Sequence, residues 1–320
     1  EFVNLTKADL NSEKKINLPI QIKKITTGFS HTLILNKDGE VYGVGCSQNG
    51  RLGLRIENEE DLKVWSKLPI NNVKDIQAGS VTSLFLKRDG TVYSCGKRCY
   101  NGIGKKDIYI PSKLEIGDPN KKIVQIGNGH GSYHSGALNE EGEYFTWGHN
   151  RVGQLGISDL DVRRYIKREN YTVNYDSDDS AEVKEEDILN NSELLTRIIK
   201  PILVKFDQSI VKFSLGWGHS VVLTKNKKLY ICGRNNELQC GVIKKNCKTK
   251  ESLKEDYINR IFLDSFTLIQ KFEKVDDFSV SFNINIVKAD GKLFMTGEEE
   301  PWVEININGA KLWSAIDYDN

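Results

Sequence analysis

The chain has no surplus of charge of either sign: 45 Lys and Arg stand against 44 Asp and Glu, a formal net charge of +1. That balance offers no argument for nucleic acid or an anionic membrane surface as partner. No apolar run reaches the roughly 18 residues of a spanning helix, and the opening residues lack a secretory-signal pattern. Cysteine is scarce, six in all, with no CxxC pair and no secreted-framework spacing. Cys95 and Cys232 occupy a strand position held elsewhere by Val44 and Trp147. They read as reduced core residues, which implies a reducing compartment, cytoplasmic or nuclear. There is no HxH or HExxH pair, and no nucleophile beside a base at recognisable spacing. No metal site, cofactor or enzymatic activity is therefore expected.

What fills the chain is a repeat. Residues 123–156 show the unit: three short apolar strands, a Glu141-Gly142 turn, and a closing Gly153-Gln154-Leu155-Gly156. Equivalent turns are Asp38-Gly39, Asp89-Gly90, Asn226-Lys227 and Asp290-Gly291. A two-residue type I′ hairpin loop needs positive φ at both central residues, which Asp or Asn followed by Gly accommodates. Gly39, Gly90, Gly142 and Gly291 are accordingly assigned positive φ. Six positions after each turn stands Gly45, Gly96, Gly148, Gly233 or Gly297. Eight beyond that, in four copies, stand Gly53, Gly104, Gly156 and Gly241.

Counting eight back from the second turn residue gives His31, Thr82, His134, His219 and Asn283. The strands that follow, such as Thr32-Leu33-Ile34-Leu35 and Ser220-Val221-Val222-Leu223, suit burial on both faces. The anchors are 51, 52, 85 and 64 residues apart. A period near 50 in an all-β sequence points to a β-propeller, whose blades bury their faces against one another. Neither a Trp-Asp nor a Gly-Gly dipeptide occurs, which argues against WD and kelch repeats.

Gly28-Phe29-Ser30-His31, Gly216-Trp217-Gly218-His219, Gly50-Arg51-Leu52-Gly53 and Gly153-Gln154-Leu155-Gly156 resemble the regulator of chromosome condensation repeat. The resemblance covers about residues 22–297. It implies a propeller of seven blades, of which five clear copies are countable, so six or seven are expected, closed by the termini or truncated. It also implies three jobs: nucleotide exchange on a Ran-like small GTPase, an adaptor or substrate-receptor subunit in a larger assembly, or chromatin contact. Residues 1–21 supply no basic arm, so the adaptor reading is favoured, with exchange factor second. The expected partner is another protein, a small GTPase or a complex subunit, with no membrane and no nucleic acid.

One domain over residues 1–320 is expected, with insertions at about 157–200 and 242–270. Residues 176–193 hold eight acids and one Lys, a local charge of −7. Ile188, Leu195 and Ile199 in the first insertion, and Leu253, Tyr257 and Ile261 in the second, recur at helical spacing. Residues 1–21 and 298–320 read as the tail and start of a further repeat. Asp176, Asp178, Asp179, Glu182, Glu185 and Glu186 are candidate partner-binding residues, because long loops in compact domains are often functional. Trp65 and Trp302 lie in connectors and are candidate contact residues, with packing the competing reading. His31, His134 and His219 are read as structural, each donating to a backbone carbonyl inside its own blade. Gly127-Asn128-Gly129-His130-Gly131 looks like a phosphate cradle but has no following Lys-Ser/Thr, and is read as an enlarged loop. Trp217 is assigned to core packing.

Overall fold

The computed structural model describes residues 21–56, 60–129, 131, 133–157, 197–242, 262–297 and 300–305. They form five four-stranded antiparallel sheets, one per repeat. Blade 1 comprises β1 (Ile22–Thr27), β2 (His31–Asn36), β3 (Val41–Gly45) and β4 (Leu62–Lys67). Blade 2 comprises β5 (Val73–Ala78), β6 (Thr82–Lys87), β7 (Val92–Gly96) and β8 (Ile108–Leu114). Blade 3 comprises β9 (Ile123–Asn128), β10 (His134–Asn139), β11 (Tyr144–His149) and β12 (Arg197–Val204). Blade 4 comprises β13 (Ile210–Leu215), β14 (His219–Thr224), β15 (Leu229–Arg234) and β16 (Phe262–Leu268). Blade 5 comprises β17 (Val275–Val280), β18 (Asn285–Ala289), β19 (Lys292–Gly297) and β20 (Glu300–Glu304). The described residues contain no α-helix, only a 3-10 turn at Gln48–Gly50.

The second strands of inner blades are sandwiched by the neighbouring blades, which is why β10 and β14 are buried at every position. Leu33, Leu35 and Val41 of blade 1 meet Ile76 and Phe85 of blade 2. Val221, Leu223 and Ile231 of blade 4 meet Phe278 and Val287 of blade 5. Burying one such side chain is worth about 1.5–3 kcal/mol, so the seams between blades hold the fold. β18, with no described blade beyond it, alternates buried and exposed instead.

The hairpins differ from the expected two-residue turns. In blade 1, Asn36 N–H donates to the Glu40 carbonyl and Gly39 N–H to the Asn36 carbonyl. The loop therefore has three residues, Lys37-Asp38-Gly39, and only the glycine has positive φ. This is a type I turn closed by a left-handed residue. Gly39, Gly90 and Gly142 take φ of 83°, 89° and 84°, and Lys227 takes the same place at 65°. Only Asp290-Gly291 is a two-residue loop with both residues at positive φ, 52° and 76°. That shorter loop moves the fifth anchor: counting back to Asn283 overshoots by one, and Ile284 stands where His31 stands. The pairings His31↔Gly45 and Asn285↔Thr296 fix the match.

Three other expectations are corrected. Gly102, not Gly104, matches Gly53: it has φ 78° and abuts Trp147, whereas a Cβ on Gly104 would meet nothing within 4 Å. Ile199 lies in β12 and Phe262–Leu268 forms β16, so helical readings do not extend into these residues. The remaining residues of both helical readings lie outside the described residues. Glu300–Glu304 is the outer strand of blade 5 rather than the start of a further repeat.

Candidate functional site

In a four-stranded antiparallel meander the first-to-second and third-to-fourth connections emerge at one end, here called the loop end. The Asp-Gly turns lie at the other. Both insertions are third-to-fourth connections, of blades 3 and 4, so both leave and rejoin the fold at the loop end.

The histidines sit just beneath that end and join neighbouring blades. His31 Nε2 pairs with Ser83 Oγ at 2.8 Å, and that hydroxyl donates to the Arg51 carbonyl at 2.6 Å. His134 Nε2 pairs with Ser220 Oγ at 3.0 Å, which donates to the Gln154 carbonyl at 2.6 Å. A hydroxyl has one proton, so each imidazole must be the donor, through Nε2–H. His219 Nε2–H likewise donates to Asn285 Oδ1 at 2.8 Å, and Asn285 Nδ2 donates to the Gln239 carbonyl at 2.5 Å. The expectation of a backbone carbonyl within the same blade is thus corrected: the partner is a side chain on the next blade. Burial lowers the histidine pKa values to about 4 for His31, with nearby Arg51 adding to it, about 3 for His134 and about 4 for His219. Where blade 2 has Thr82, Asn128 closes the seam instead, accepting from Ser135 Oγ and donating to the Gln77 carbonyl.

Trp65 and Trp302 are not exposed contact residues. Trp65 is 9% exposed and packs with Ile34 and Tyr42 over the face of blade 1 that points away from blade 2. Trp302 is 4% exposed, edge-on to Phe272 between blades 4 and 5, with its indole nitrogen against Gly241. The acidic residues Asp176, Asp178, Asp179, Glu182, Glu185 and Glu186 lie outside the described residues.

Exposed aromatic surface gathers instead on the first-to-second loops. Phe29 is 80% exposed, and Tyr133 and Phe282 are each 43% exposed. Trp217 is half-buried, not a core residue: it stacks on Phe282 at 5.0 Å, and the Arg234 guanidinium lies 4.0 Å from the centre of its ring. Burial lowers the Arg234 pKa. Tyr133 packs on Tyr100 at 5.1 Å, with Arg197 5.6 Å from the Tyr100 ring. Between β9 and β10 the described residues are 129, 131 and 133, and Gly131 lies against Trp217 and Phe282. His130 of the expected enlarged loop 127–131 lies outside the described residues. Sequence reasoning missed this surface, although the signal was present. With the register corrected, Phe29, Trp217 and Phe282 occupy one position in three blades.

Family comparison agrees with the geometry. The regulator of chromosome condensation (RCC1) repeat model matches residues 22–51 and 210–239, in blades 1 and 4. Blades 1 and 4 carry regulator of chromosome condensation repeats. Over 230 residues the chain is 27% identical to the ultraviolet-B receptor UVR8 of Arabidopsis thaliana, covering 70% of this chain and 43% of the receptor. Over 143 residues it is 34% identical to the probable E3 ubiquitin-protein ligase HERC4 of Rattus norvegicus, covering 43% of this chain but 13% of the ligase. The chain thus spans less than half the length of these relatives. The crystal structure of human WBSCR16 superposes with a TM-score of 0.65 at 17% identity, covering 91% of this chain and 70% of that one, which shows the fold. Among the described residues no cluster of metal-ligating side chains occurs, and no helix is long and apolar enough to cross a membrane.

Proposed function

We propose that this regulator of chromosome condensation repeat chain is a protein-interaction scaffold, an adaptor subunit whose contact surface is the loop end of blades 3 to 5. The observation that carries the reading is the Arg234–Trp217–Phe282 stack, with Tyr133 on the neighbouring loop. Repeat packing does not require these rings at the surface. Aromatic and arginine side chains are also the types that dominate binding hot spots. The acidic segment 176–193 leaves from the same end and supplies a second contact, steering a basic region of the same partner.

Two experiments test this. In cross-linking affinity purification, the wild type should retain a defined partner that the double variant Trp217→Ala/Phe282→Ala loses at unchanged melting temperature. The second assay is GDP release from a panel of small GTPases. A scaffold leaves release unchanged, whereas acceleration at catalytic amounts would replace the adaptor reading with exchange activity.

A further inference from the structure

A second feature of the loop end lies in blade 1. Arg51 is 7% exposed, in the Gly50-Arg51-Leu52-Gly53 turn. The same position holds neutral Gln154 in blade 3 and Gln239 in blade 4. Those amides close their own turns. Gln154 Oε1 accepts from Val152 N–H at 3.1 Å, and Gln239 Oε1 accepts from Glu237 N–H at 2.9 Å. Arg51 does something else. Its Nε donates to the Gln48 carbonyl at 2.9 Å and Nη1 to Ser30 Oγ at 2.8 Å. The remaining contacts are long: Nη1 to the Ser80 carbonyl and Nη2 to Asn49 Oδ1, both 3.5 Å. Among the described residues every acceptor is neutral and Arg51 makes no ion pair.

A guanidinium cannot shed its proton in a protein. Burying its charge without a counter-charge costs several kcal/mol even after relaxation. The polar surroundings are also incomplete, because Ser80 is 4% exposed and its hydroxyl has no hydrogen-bond partner among the described residues. Yet the cation lies close to solvent: Ser30, which holds Nη1, is itself exposed, and Phe29 beside it is 80% exposed.

We propose that Arg51, with Ser30 and Ser80, forms an oxyanion-binding subsite at the loop-end seam of blades 1 and 2. A carboxylate or phosphate group there takes Nη1 and Nη2 together, the two-pronged geometry that favours arginine over lysine. The unpartnered serine hydroxyl provides a further donor. The oxyanion comes either from an acidic side chain of a bound protein segment or from free phosphate. The subsite stands on other residues than the aromatic stack, so it can hold or fail independently of the scaffold reading.

The test compares wild type with Arg51→Gln, which places in blade 1 the residue blades 3 and 4 already use. The variant keeps the backbone carbonyl that accepts from Ser83. Melting temperatures are measured at constant ionic strength in potassium chloride, in potassium phosphate, and with a short blocked peptide rich in Glu or its Gln counterpart. Wild type should gain about 2–4 °C with phosphate or the Glu peptide where ligand exceeds its Kd about tenfold. Arg51→Gln should melt no lower in chloride and gain nothing from either. A response to phosphate assigns a free-anion source, and a response to the Glu peptide alone assigns a protein source. Equal gains in both proteins, or no gain in wild type, would overturn the subsite. Should Arg51→Gln fold poorly, the Arg51 Nε–Hε resonance of wild type decides. It must move on adding phosphate or Glu peptide and stay still with chloride.

Discussion

Three residues, His31, His134 and His219, act as seam bolts, and their chemistry sets how the fold meets acid. Each is held neutral with a pKa near 3 or 4, against about 6.5 in an unfolded chain. Between those values the unfolded chain binds more protons, so stability rises with pH across that window. It is complete above about pH 6.5 and is lost as pH falls toward 4. Melting temperature should therefore be flat from pH 8 to 7 and decline steadily below 6.5. Replacing the three histidines by Gln should remove most of the decline between 6.5 and 5, leaving the share of His149, whose pKa burial and the nearby Arg197 and Arg151 also lower to about 4. A wild-type curve level down to pH 5 would refute this account. A second prediction concerns Lys227, which holds the left-handed turn place that glycine holds in blades 1 to 3. A side chain there costs about 1 kcal/mol or more, so Lys227→Gly should stabilise by about 1 kcal/mol in urea titration. A loss would mean that the Lys227 side chain has a contact worth more than the strain.

At the scale of strands and turns, the corrected registers are themselves testable. Counting eight from Gly96 selects Gly104, but the second repeat is shorter in its tail, and Gly102 fills the tight place. A Cβ on Gly102 would come within 2.8 Å of the Trp147 indole nitrogen, at a φ of 78°. Gly102→Ala should cost about 1–3 kcal/mol in equilibrium unfolding, while Gly104→Ala should be close to neutral. The opposite ranking would restore the counted register. Much of the fold was legible because its determinants recur: glycines after the turns, apolar second strands, a His anchor. What was not legible depends on loop length and on distant residues. Nothing local to Asp290-Gly291 announces a two-residue rather than three-residue loop, yet that difference displaces the anchor from Asn283 to Ile284. The partner of each histidine lies 52 to 86 residues away, although a small hydroxyl residue after the anchor in Thr32, Ser83, Ser135 and Ser220 was a usable hint. Trp65 and Trp302 read as connector residues, but each lies in the outer strand of its blade, β4 and β20, and is buried. The packing reading holds, because a fourth strand with no glycine-marked turn before it looks like a connector in sequence.

At the scale of the molecule, repeat packing uses the blade faces, while the loop end carries what differs between blades. There the Arg234–Trp217–Phe282 stack and the two attachment points of the acidic connection, Ile157 and Arg197, lie on the same end of the propeller. These two features should control different rate constants. Charge acts at long range and governs encounter, whereas desolvated aromatic contact governs residence. With an identified partner immobilised, converting Asp176, Asp178, Asp179, Glu182, Glu185 and Glu186 to Asn or Gln should slow association several-fold and leave dissociation nearly unchanged. Trp217→Ala should do the reverse, accelerating dissociation by about tenfold or more, the cost of truncating one hot-spot ring. Raising salt through the physiological range, where the screening length is about 8 Å, should slow association of wild type but scarcely affect the neutralised variant. If both variants bind with wild-type kinetics, the partner docks elsewhere and the loop end is not the contact surface. If neutralisation speeds association, the partner is acidic, and the connection repels what the arginines attract.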